Sequence, residues 1–246
     1  DNDTISGGTG ADLLYGEDGN DSIVGDANND SISGGAGADT LSGSGGADYL
    51  QGDAGADSLL GGVGNDNLNG GDDNDTLNGG AGNDNMTGGA GADSLIGSTG
   101  NDSMWGGTGN DFLSGGDGDD AIYGGEGNDS IIAGAGTDYI ALTSGNDTVS
   151  AGDDSDNINV IAGGFADGAV VTAGGGTGGV DSDTLNLSSW SFYRALTETT
   201  DADADSTSGS VEVQDAAGNW ITVNFTEIET LNLPPPAPDY IVAGTA

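Results

Sequence analysis

The chain has 246 residues, of which 42 are acidic and only one, Arg194, is a basic side chain; Lys, His and Cys are absent and the formal net charge is −41. Nothing here can neutralise phosphate, which argues against nucleic acid and against anionic membrane surfaces. Zinc, copper and iron–sulfur sites lack their usual ligands, and the usual Ser and Cys triads lack their base. No stretch is long and apolar enough to cross a bilayer, and no secretory signal peptide is visible.

From the N-terminus the chain is periodic: Asp stands at every ninth residue from Asp3 to Asp156. After a partial unit containing Asp3 and Ile5, seventeen consecutive nonapeptides run from Gly7 to Asn159. They read G-G-x-G-x-D-x-φ-x or close to it, with φ aliphatic, as in Gly61–Asn69 (GGVGNDNLN) and Gly106–Ser114 (GGTGNDFLS). A fixed short period sets the architecture ahead of any local reading, and nine rather than three excludes collagen. Gly at positions one, two and four permits positive φ and close backbone approach. Where position four departs from Gly it becomes Asn28, Asp73 or Asp154, the other residue types that tolerate that region. One inward aliphatic between two outward residues is the pattern of a short strand.

The run resembles the calcium-binding nonapeptide repeats of the RTX (repeats-in-toxin) family. The resemblance implies an all-β fold: a right-handed parallel β-roll, a β-solenoid with two nonapeptides per coil, ending in a C-terminal non-repetitive β cap. It implies that each G-G-x-G-x-D segment is a six-residue loop, that each x-φ-x is a short strand, and that Ca2+ ions sit between loops one coil apart. In that arrangement Asp12, Asp30, Asp48, Asp66, Asp84, Asp102, Asp120, Asp138 and Asp156 stack on one edge. Asp3, Asp21, Asp39, Asp57, Asp75, Asp93, Asp111, Asp129 and Asp147 stack on the other. These residues and Asp183, in a later copy of the motif, are the candidate metal ligands.

Charge makes the cation necessary. Strands one coil apart are roughly 4.8 Å apart, and two carboxylates at that spacing repel by about 0.9 kcal/mol even in bulk water. The fifteen pairs of full repeats one coil apart then cost on the order of 13 kcal/mol before salt screening. That equals the whole stability of a typical domain, about 5–15 kcal/mol. A hard divalent cation with oxygen ligands removes the repulsion, so the chain is expected to be unfolded until calcium arrives.

After the roll (1–159), the pattern decays. The first Gly of the last full nonapeptides becomes Ala133, Leu142 and Ala151, and residues 160–177 lose the frame, which returns at Gly178–Asn186 with Asp183 and Leu185. Residues 160–186 therefore read as a degenerate coil and last repeat. Residues 187–233 differ in kind, carrying two of the three Trp together with Phe192, Tyr193 and Arg194. Val211–Val213 and Trp220–Phe225 read as a β-hairpin across Asp215–Asn219, with Ile228, Leu231 and Leu233 following as a last strand. This segment resembles the non-repetitive cap of RTX rolls, and a solenoid end needs one. Asp201–Asp205 reads as a solvated loop. Residues 234–246 open with a stiff Pro-rich linker and run into what looks like the start of another RTX array, so the chain is expected to be an internal piece of a longer secreted protein.

No catalytic constellation is present, and the expectation is a non-enzyme. Three functional readings follow. The first is a calcium-dependent structural module of a secreted bacterial surface, adhesin, S-layer or filament protein, exported by type I secretion and folding outside the cell. The second is a non-catalytic module of an RTX enzyme or toxin, such as a protease or alginate epimerase. The third, ice binding, needs a Thr ladder at position three, and none forms: one edge reads Thr9, Ala27, Gly45, Val63, Ala81. Position nine on one face alternates Val24, Ser42, Leu60, Asn78, Ile96, Ser114, Ile132, Ser150, whereas Tyr15, Tyr49, Trp105, Tyr123 and Tyr139 point outward on the other. An apolar stud on every second coil marks either a duplicated unit of four nonapeptides or a lateral contact surface for self-association through Val24, Leu60, Ile96 and Ile132.

Overall fold

The computed structural model describes residues 1–161, 170–172, 184–187, 192–200, 207–214, 220–228 and 230–235. Strand β1 is Thr4–Thr9, β2 Leu13–Asp18 and β3 Ser22–Ala27, and strands recur with the nonapeptide period to β15, Ser130–Ala135. Then come β16 (Tyr139–Leu142), β17 (Thr148–Asp153) and β18 (Asn157–Val160). Up to β18, odd-numbered strands build one sheet and even-numbered strands the other. Each pairs in parallel with the next strand but one, as Thr4 with Ser22 and Leu13 with Ser31. The chain is an all-β parallel solenoid with two nonapeptides per coil, and among the described residues there is no helix.

One inward aliphatic per nonapeptide fills the space between the sheets. The row from Ile23 through Leu50, Leu77, Met104 and Ile131 to Ile158 is wholly buried. Each such side chain contributes about 1.5–3 kcal/mol. Ile5 and Leu14, on the first coil, are only partly covered.

The strands are longer than x-φ-x. From β1 to β15, and again at β17, each spans the six positions of x-φ-x-G-G-x, so only G-x-D turns the chain there and the expected six-residue loop is half strand. The two Gly stay in the sheet because position two and position three still meet their partners one coil on (Gly8 with Asp26, Thr9 with Ala27); position one alone steps out of register. The glycines also divide their work differently from expectation. Positions two and four take positive φ, as at Gly71 (φ 120) and Gly64 (φ 139). Position one does not. A Cβ at Gly61 would stand 2.5 Å from Asp66 Oδ2 and 2.6 Å from the Gly79 carbonyl oxygen, so position one is Gly for space alone.

Outward residues form rows across the coils. Val24, Ser42, Leu60, Asn78, Ile96, Ser114, Ile132 and Ser150 are successive partners in one unbroken row. On the opposite sheet Trp105 and Tyr123 are paired and stacked, ring centroids 5.2 Å apart and planes 2° apart, and Tyr139 leans on Tyr123 at 5.9 Å.

The coil after β17 and β18 is enlarged rather than lost. β19 (Val170–Thr172) pairs with β17 and β20 (Thr184–Asn186) with β18, so Asn157 meets Thr184, farther along the chain than the regular period would place its partner. Beyond it β21 (Phe192–Thr200), β22 (Thr207–Gln214) and β23 (Trp220–Ile228) form an antiparallel meander, and β24 (Thr230–Asn232) follows. β23 joins β19 and β24 joins β20, which continues both sheets. Val211, Val213, Val223, Phe225 and Ile228 are buried on the common core. The hairpin expected from the sequence is present; of the expected last strand only Leu231 lies in β24, since Ile228 ends β23 and Leu233 follows β24, and β21 is a strand that the sequence pattern does not announce. Asp201–Asp205, Asp215–Asn219, Asp183 and residues 236–246 lie outside the described residues.

The position-one glycines give a direct test. Gly70→Ala puts a Cβ against Asp75 Oδ2 and 2.7 Å from the Gly88 carbonyl oxygen, and should cost about 1–3 kcal/mol. Gly45→Ala meets nothing nearer than 3.9 Å and should stay within about 0.5 kcal/mol of wild type. Denaturant unfolding of both variants in calcium checks the contrast.

Candidate metal centre

Each repeat aspartate is placed by the turn that precedes it. The chain leaves a strand at G-x-D, and the Asp side chain turns into the end of the roll. From Asp21 onward the column aspartates are no more than 3% exposed; Asp12 is half-buried and Asp3 lies exposed on the first coil. The two columns foreseen in the sequence are formed from Asp3 to Asp156. Asp183 falls outside the described residues.

The two carboxylate oxygens do different things. Oδ1 accepts a hydrogen bond from the N–H of the aspartate one coil earlier, at 2.6 Å for Asp3 to Asp21, 2.8 Å for Asp66 to Asp84 and 3.0 Å for Asp111 to Asp129. The bond repeats without a gap up to Asp138 donating to Asp156. Oδ2 of Asp12, Asp21 and each following column aspartate through Asp147 is buried with no hydrogen-bond partner. A buried, unpartnered, charged oxygen is among the most costly atoms a fold can contain, and here it recurs in every coil.

Protonation is pushed accordingly. Burial drives Asp75 from its ordinary 3.8 up to about 7; the Asp57 N–H opposes this, and the charges of Asp57, Asp93 and Asp73 add to it. Burial likewise raises Asp120 and Asp147 to about 7, and Asp57, Asp66, Asp102 and Asp111 to about 6.

A second ladder, absent from the sequence reading, runs beside the first. At position five, Asn20, Asn29, Asn65, Asn83 and Asn101 each accept, through Oδ1, the N–H of the equivalent residue one coil later. These bonds point opposite to the aspartate bonds and hold the turn in place. The recurring N-D pair is its visible signal in the sequence.

The donor set is all oxygen. Among the described residues no three acidic side chains gather into a ready metal cage, so backbone carbonyls must supply much of any coordination shell. They are at hand: the space in front of Gly61 or Gly88 is bounded by an aspartate Oδ2 at 2.5 Å and by a carbonyl oxygen of the next coil at 2.6 Å. Orphaned carboxylate oxygens facing carbonyls suit a hard divalent ion such as calcium, which takes about 6–8 oxygens.

A family model for the RTX calcium-binding nonapeptide repeat matches residues 1–32, 24–59, 33–68, 60–95, 96–131, 114–149 and 132–164. The chain belongs to the RTX calcium-binding repeat family. It is therefore a calcium-binding module, and its many repeats imply several ions per RTX roll. Among curated proteins none matches the chain. In an RTX roll the ion supplies positive charge and coordination; the chain supplies aligned oxygens and the ladders that hold them.

Two measurements test this centre. The raised pKa values mean that the roll binds protons more tightly than the unfolded chain does, so this stabilisation is complete below about pH 4 and is lost as pH rises through about 6 to 7. In chelator, far-UV circular dichroism should therefore show mostly coil at pH 8 and more β structure at pH 5; at pH 8, roughly 0.1–1 mM calcium should restore the β spectrum. An unchanged β spectrum in chelator at pH 8 would count against the reading. Secondly, Asp84 both accepts from the Asp66 N–H and donates its own to Asp102, whereas Asp3 only donates to Asp21. Asp84→Ala should raise the calcium midpoint of folding well above that of Asp3→Ala, and equal midpoints would contradict stacked, coupled coils.

Proposed function

We propose that this chain is a calcium-stiffened structural segment of a secreted bacterial surface protein, of the adhesin, S-layer or filament kind. Column aspartates whose loops begin with glycine hold the ions. The protein leaves the cell unfolded through type I secretion machinery and closes into a roll on meeting extracellular calcium. The observation that carries this reading is the unbroken run of coils from Thr4 to Val160. Such a solenoid gains stiffness coil by coil and spans distance, as a stalk or lattice element must.

The apolar studs support lateral packing. Leu60 and Ile132 are 46% and 44% exposed, with Val24 and Ile96 half-buried in the same row. They recur about every 9.6 Å, twice the strand spacing, so a second roll meets them in register. Calcium acts twice: it straightens the row, and it lowers the charge that keeps acidic chains apart.

Sedimentation in calcium tests the surface role. Wild type should self-associate at high concentration, and the variant with Val24, Leu60, Ile96 and Ile132 all changed to Ser should fold with calcium yet remain monomeric. A strictly monomeric wild type, or equal assembly by the variant, leaves duplication of a four-nonapeptide unit as sufficient cause of the rhythm.

A further inference from the structure

The first residue of each nonapeptide decides what faces the orphaned oxygen. From Gly7 to Gly115 it is glycine, and in each case the space its Cβ would take is bounded by the Oδ2 of the loop's own aspartate. At Gly52, Gly61, Gly70, Gly88, Gly97 and Gly115 a carbonyl oxygen from the next coil, 2.5–2.7 Å away, closes the other side. Gly124 is the last glycine at position one, and only atoms of Asp129 stand within 3.4 Å of where its Cβ would be.

The next three position-one residues are Ala133, Leu142 and Ala151. All are fully buried, and with Val160 they belong to the apolar cluster. At Leu142 the backbone changes too, whereas β15 and β17, which carry Ala133 and Ala151, keep six residues with position one out of register. Leu142 pairs directly with Val160, where earlier coils leave position one out of register, and β16 and β18 shorten to four residues. A shell of about 6–8 oxygens at roughly 2.3–2.6 Å has no room for a methyl or isobutyl group on its inner side.

We infer that Ala133, Leu142 and Ala151 close the ion columns: calcium occupies the loops whose position one is glycine, up to Asp129, and Asp138, Asp147 and Asp156 take no ion. Those three carboxylates keep their other task of accepting the N–H of Asp120, Asp129 and Asp138, for which an amide oxygen serves equally. The coils from Ala133 onward, together with β19, β20 and the meander, form an apolar block whose stability owes least to calcium. It offers the ion-dependent coils a finished surface on which to stack, and in a solenoid the first interface is the costly one. This inference rests on the column aspartates being the calcium sites.

The test counts calcium bound per full-length chain by equilibrium dialysis, for wild type, Asp84→Asn, Asp147→Asn and Leu142→Gly. Asp84→Asn should bind fewer ions than wild type, Asp147→Asn the same number, and Leu142→Gly at least one more. In parallel, hydrogen exchange of the wild type in chelator should leave amides of residues 139–160 at least about tenfold more protected than those of residues 58–81. Equal loss of calcium from Asp147→Asn and Asp84→Asn, or equally fast exchange in the two segments, overturns the boundary. A wild type that binds no calcium overturns instead the column reading beneath it.

Discussion

Each coil is tied to the next by a hydrogen bond from an aspartate N–H to the Oδ1 of the aspartate one coil on. That bond draws a carboxylate into the interior at every turn and leaves its second oxygen without a partner. Backbone hydrogen bonding and charge therefore pull in opposite directions at the same residue. The ladder favours the roll; the column of buried like charges opposes it. The repulsion foreseen for exposed carboxylates is compounded by their burial, since the cost of desolvation adds to the Coulomb cost. A divalent cation would reverse the second contribution while leaving the first in place.

The remaining features follow from keeping the coils close. Glycine at positions two and four supplies the backbone conformation of the turn, and glycine at position one keeps a space in which oxygens can meet. The asparagine ladder fixes the turn from the opposite direction. The aliphatic row is thin, one side chain per nonapeptide, and alone it is a small core for a chain of this size. Small cores usually need a staple, and in a chain with no cysteine a bound metal can serve as one.

Much of this was legible in the sequence because the period is rigid. The regular aspartate spacing gave the two columns, the aliphatic eighth position gave the core, and the outward row from Val24 to Ser150 came out in the order the register demands. What escaped was set by contacts between coils. Nothing in G-G-x-G-x-D says that the first half stays in the sheet, because that depends on partners one full coil away. Nothing in a lone Gly distinguishes a need for positive φ from a need for space; Gly61 and Gly64 look alike and serve differently. β21 escapes a reading by pattern because Phe192–Thr200 alternates poorly and is held by its antiparallel partner β22. Residues 160–177 read as loss of pattern, yet β19 keeps its place in its sheet, because inserted residues leave a strand's pairing intact when they fall between strands; β20 lies where the returning frame at Leu185 places it.

A parallel stack of identical turns also behaves as a ruler. The molecule lengthens by one strand spacing, about 4.8 Å, for each pair of nonapeptides added, and the ends never sense how many units lie between them. Such pairs are neutral in another respect: every later side chain keeps its face. Adding a single nonapeptide in frame would instead send all later strands to the opposite sheet. The row of Ile96 and Ile132 would then continue on the side that carries Tyr15 and Tyr49, and the surface would change hands midway along the rod. Duplication or loss of gene segments can thus tune the reach of such a protein freely, provided that it proceeds two repeats at a time.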